Sequence, residues 1–141
     1  MTVVADSGAI YALYDSDDKH HSAVRSVLET EPGAIILPVV ALAELDYLLA
    51  EFLGVEAELQ FLSDLNQGAF TLEPISLSDL DRCREILAMY RDLKPGLVDA
   101  SVVTIAERLE IDRILTVDVR HFRVLQPRSG KPFTLLPADS P

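Results

Sequence analysis

A chain of 141 residues, 49% hydrophobic and 25% charged, has the size and make-up of one globular domain over 1–141, long enough to bury a core without cross-links. Its single cysteine, Cys83, excludes an intrachain disulfide and any cysteine-rich zinc site. The net charge of −11 argues against a simple cationic nucleic-acid binder, and it is uneven: residues 1–70 hold two bases and twelve acids, residues 71–141 ten bases and eleven acids.

In chain order, Thr2–Ala5 is a short apolar, β-branched run that predicts a buried strand. No basic stretch precedes it and Asp6 closes it early, so it does not read as an export signal. Ser7–Tyr14 predicts a short helix, and Asp18–Thr30 a second one closed by Pro32-Gly33. Ala34–Leu37 is a second buried strand. The apolar run Ala34–Ala43 is broken by Pro38 and falls far short of the roughly 20 residues that span a bilayer. A soluble, cytoplasmic protein without a membrane partner is expected.

Pro38 is expected to open a long helix reaching Phe52 or Leu53, because proline at a first helical position loses only an N–H that would be unpaired there. Gly54 stops it. Val55–Asn66 predicts a helix and Ala69–Pro74 a strand. Ser76 or Ser78 caps a helix running to about Leu93, with Leu80, Cys83, Leu87 and Tyr90 on one face. After the Pro95-Gly96 break come a helix over Leu97–Glu110, a strand over Arg113–Val117 and a short last strand at Phe133–Leu136. Short apolar strands alternating with helices predict an α/β fold: a three-layer α/β/α sandwich around a parallel sheet of four to five strands.

Four acids resist an ordinary reading. Asp6 and Asp118 each follow a strand directly, at the edge where parallel sheets bind ligands. Glu44 has Val40, Ala41, Tyr47 and Leu48 as helical neighbours, so it interrupts an apolar face and needs a cation or donors if buried. Asp99 lies in the first turn of its helix, where the dipole favours a negative charge. Taken singly, each has a cap, turn or salt-bridge explanation. Taken together, with the first strand and Arg113–Val117 adjacent, they form a cluster that protons or cations must neutralise. Two carboxylates 4 Å apart repel by about 4 kcal/mol at an effective dielectric of 20. Oxygen ligands with open positions suit Mg²⁺ or Mn²⁺.

The order of these motifs resembles PIN-domain proteins, and specifically the VapC toxins of bacterial toxin–antitoxin pairs. The matching features are an apolar strand into Asp6-Ser7, Glu44 after the second strand, Leu97-Val98-Asp99-Ala100-Ser101 opening a helix, and Leu115-Thr116-Val117-Asp118 followed by Phe122. Asp17-Asp18-Lys19-His20-His21 is also similar. The resemblance implies a Mg²⁺- or Mn²⁺-dependent endoribonuclease acting on a tRNA or rRNA, with Asp6, Glu44, Asp99 and Asp118 as catalytic metal ligands, directly or through water. It makes Ser7 and Thr116 the hydroxyls that orient the acids. It further implies a homodimer and a small VapB-like antitoxin. Gly8 departs from the pattern, since many relatives carry a small polar residue there.

Arg120, His121 and Arg123 follow Asp118 and are candidates for RNA phosphate contacts, with a solvated loop as the alternative. Two other readings stay open: a catalytically idle module that binds a partner, and a metal nuclease acting on DNA or on a nucleic-acid structure.

Overall fold

The computed structural model describes residues 1–30 and 33–140. Among these, five strands form one sheet: β1 (Val3–Ala5), β2 (Ile35–Pro38), β3 (Thr71–Glu73), β4 (Arg113–Leu115) and β5 (Thr134–Leu136). Every pairing is parallel and the order is β3-β2-β1-β4-β5. Seven described helices connect them: α1 (Ser7–Tyr14), α2 (His21–Thr30), α3 (Leu42–Phe52), α4 (Val55–Asn66), α5 (Leu77–Met89), α6 (Gly96–Arg108) and α7 (Val119–Val124).

Strand residues alternate between two buried clusters. Val3, Ala5, Leu37, Leu115 and Leu136 pack with α1 to α4, while Val4, Ile36, Ile114 and Leu135 pack with α5 to α7. Helices therefore cover both faces, which is why these strands read as unbroken apolar runs. The expected three-layer arrangement is present, with five strands.

Topology sets the place of the site. From β1 the chain steps outward through β2 to β3, then returns to build β4 and β5 on the other side of β1. The central pair β1 and β4, in register at Ala5 and Leu115, is the point where the winding reverses. In open parallel sheets, ligands bind at such a point, beyond the carboxyl ends of the strands.

Several boundaries differ from expectation. Pro38 does not open a helix; with φ −59° and ψ 134° it ends β2, opposite Glu73. A single 3-10 turn, Val39–Ala41, precedes α3, so the α-helical phase starts at Leu42. The second helix starts at His21 rather than Asp18, because the Asp18 side chain takes the His20 N–H (2.7 Å) in a turn. Pro32, expected to close that helix, lies outside the described residues. Ser76, not Ser78, caps α5, in a reciprocal capping box with Asp79. The segment after Asp118 is not a loop but the short helix α7.

Candidate metal centre

Each of the four acids sits at the start of a helix. Asp6 follows β1 and caps α1, its Oδ1 accepting from the Ala9 N–H at 2.9 Å. Glu44 lies in the first turn of α3 and Asp99 in the first turn of α6. Gly96, at φ +85°, makes the turn that launches α6, a conformation that glycine alone adopts freely. Asp118 follows β4 and caps α7, Oδ1 accepting from the His121 N–H at 3.3 Å. Asp6, Glu44 and Asp99 thus lie at the positive ends of α1, α3 and α6, each favouring negative charge by about 0.3–1 kcal/mol.

Hydroxyls fix the geometry. Thr116 is fully buried and continues the β4 ladder, its N–H donating to Leu136 O at 2.9 Å. Its hydroxyl donates to Asp6 Oδ2, and its oxygen accepts from the Asp118 N–H at 2.9 Å. One side chain therefore ties the two strand-end acids together. Ser7 Oγ donates to Glu44 Oε1 at 2.6 Å, linking α1 to α3. A Cβ on Gly8 would lie 3.3 Å from Val117 Cγ2, so a side chain there would crowd the strand end; Asp6 is instead held by Ala9 and Thr116.

The electrostatics are those of a crowded acid cluster. Asp6 is 5% exposed, and its carboxyl is pushed from an ordinary 3.8 to about 7. Burial is the main cause, with Asp99 and Asp118 adding repulsion and the bonds from Thr116 and Ala9 opposing. Asp99 is also raised, first by burial, then by Asp118 and Glu44, while His121 pulls the other way. Asp99 therefore lies within electrostatic reach of the other three acids.

One neighbour was not foreseen in this role. His121, expected to contact RNA phosphate, turns inward: Nδ1 lies 2.7 Å from Asp99 Oδ2 and 3.1 Å from Asp118 Oδ2. Asp99, Asp118 and His121 offer ligand atoms all within 4.8 Å of each other. The signal was the spacing Asp118-x-x-His121, which puts the third helical residue over its own cap. Arg123 is bound to both carboxylate oxygens of Asp139, holding that acid at about 2, and so is not free for a phosphate. Arg120 remains exposed.

Glu44 needs correcting. It was expected on a buried apolar face, but it is exposed, and α3 buries Leu45 and Leu49 instead. The 3-10 turn removes Val40 and Ala41 from the helix, and Tyr47 is 62% exposed. Burial does not single Glu44 out; its bond to Ser7 and its field at Asp99 do.

This donor set fits a hard divalent cation. It is made of carboxylate oxygens, it penalises its own negative charge, and Asp118 leaves it open to solvent with 44% of its side chain exposed.

A family model described as PIN domain matches residues 3–126 of the chain. Ribonuclease VapC26 of Mycobacterium tuberculosis is 35% identical over 135 residues, 96% of this chain and 100% of that protein. Among solved structures, M. tuberculosis VapC20, described as a sarcin-ricin loop cleaving toxin, superposes with a TM-score of 0.73 at 17% identity, covering 79% of this chain and 86% of that one. VapBC2 from Rickettsia felis, bound to a DNA fragment from its promoter, gives 0.65 at 13% identity over 96% and 97%.

Proposed function

This chain belongs to the PIN-domain family, among its VapC-type members, and from that premise we propose that it is a Mg²⁺- or Mn²⁺-dependent endoribonuclease toxin held in check by a VapB-like antitoxin. The observation that carries the reading is the meeting of Asp6, Glu44, Asp99 and Asp118 at the reversal point of the sheet, on four helix starts. The relative named a ribonuclease supports RNA as the substrate.

In this reading Asp6, Asp99 and Asp118 hold the cation, with Glu44 reaching it directly or through water. A divalent ion bound there would neutralise phosphate charge and lower the pKa of a water nucleophile. The chain's own residues do the positioning. Thr116 orients Asp6 and anchors the Asp118 backbone; Ser7 orients Glu44. Arg120, exposed beside His121, would meet an RNA phosphate.

The α3–α4 hairpin supports the partner reading. Tyr47, Phe52, Val55 and Leu59 are each more than half exposed on it, an apolar face suited to an antitoxin or to a second copy in a homodimer. The acidic first half of the chain would draw a Lys- or Arg-bearing antitoxin segment.

The test is sequencing of RNA ends after brief expression of wild type and Asp99→Asn. New ends at defined tRNA or rRNA positions, present only with wild type, are expected. Identical ends with both proteins would refute the assignment.

A further inference from the structure

The ring of His121 occupies the gap between two acids that the proposed metal centre needs. Nδ1 lies 2.7 Å from Asp99 Oδ2 and 3.1 Å from Asp118 Oδ2, and the side chain is only 15% exposed. Ionised carboxylate oxygens can only accept hydrogen bonds, so Nδ1 carries the proton and donates to Asp99, with Asp118 Oδ2 alongside at 3.1 Å. The other ring nitrogen agrees: Nε2 faces Arg120 Nη2 at 3.5 Å, and a guanidinium has only donors to offer. An Nδ1 that bears a proton is not a metal ligand, whatever the charge of the ring.

Helix α7 holds the ring in place. Its cap, Asp118, takes the His121 backbone N–H, and Phe122, 2% exposed, anchors the next residue in the core. The same short segment therefore presents a cap carboxylate and, three residues on, the N–H that satisfies it.

We propose that His121 is a built-in competitor for the divalent cation: its imidazole N–H occupies the space between Asp99 and Asp118 and must swing out before an ion can be seated there. This rests on the metal-centre reading above. A competing internal contact lowers apparent affinity by the fraction of time the site stands open. A charge-assisted bond to Asp99, with Asp118 alongside, corresponds to roughly a tenfold effect. The ring thus keeps the acid cluster together at low cation concentration and sets a threshold for loading.

The experiment is a Mn²⁺ titration, without RNA, of wild type, His121→Ala and His121→Asn, followed by calorimetry and by the electron paramagnetic resonance of free Mn²⁺. Circular dichroism checks that each variant is folded. The Ala variant is expected to bind Mn²⁺ roughly tenfold more tightly than wild type. The Asn variant, whose Nδ2 can stand where Nδ1 stands and donate the same bond, is expected to bind nearly as wild type does. Weaker binding by the Ala variant would make His121 a ligand and overturn the proposal, and equal binding by all three would make it a bystander. If none of the three bound Mn²⁺, the metal-centre reading itself would fall, and the proposal with it.

Discussion

Replacing Asp6 by asparagine should stabilise the protein in the presence of a chelator, and by an amount that depends on pH. Asp6 is buried against Asp99 and Asp118, and its carboxyl is held at about 7 instead of 3.8. Between those two values the folded protein keeps a proton that the unfolded chain has released. Stability therefore falls as pH rises through this window, and the penalty is complete above about pH 7. At about 1.36 kcal/mol per pH decade, the span amounts to about 4 kcal/mol. Asparagine keeps an oxygen for the Ala9 N–H and carries no charge, while the Thr116 hydroxyl must turn to accept instead of donate, costing about 1 kcal/mol. A net gain of about 2–3 kcal/mol at pH 8, shrinking towards zero at pH 4, is expected. Urea unfolding in EDTA, followed by circular dichroism at both pH values, measures it. A gain of the same size at pH 4 and pH 8, or a loss at pH 8, would refute the reasoning.

Ser7→Ala removes the donor that holds Glu44, and because Glu44 is exposed the stability change should stay within about 1 kcal/mol while RNA cleavage slows by about tenfold, read as kcat at saturating RNA. Arg120→Ala should weaken RNA binding and reduce the slope of log affinity against log salt by about one, measured by filter binding in EDTA. Arg123→Ala should leave that slope unchanged, since its guanidinium is already bound to Asp139.

Much of the fold was legible because apolar runs and breakers are local signals. The β1–α1 boundary at Asp6, helix α4 and the launch of α6 after Pro95-Gly96 follow from such signals. Strand order did not, because neighbours in a sheet are chosen by tertiary packing; that β1 lies beside β4 had to be supposed before Asp6 and Asp118 could be brought together. Asp6, Asp99 and Asp118 were legible from strand ends and a helix first turn. Glu44 was singled out for a burial it does not have, because a 3-10 turn resets the helical phase where periodicity alone assumes continuity. Helix α7 is six residues long, too short for a repeating pattern to reveal. With it went the inward turn of His121, which depends on that helix being present.

On the function proposed above, these acids form a divalent-metal centre that cuts RNA. Its most direct test is cleavage of purified RNA by wild type and Asp99→Asn, with Mg²⁺, with EDTA, and with Mn²⁺ restored after EDTA. Cleavage by wild type alone, lost in EDTA and recovered with Mn²⁺, is the predicted result. Wild-type rates from Asp99→Asn, or cutting that persists in EDTA, would contradict it.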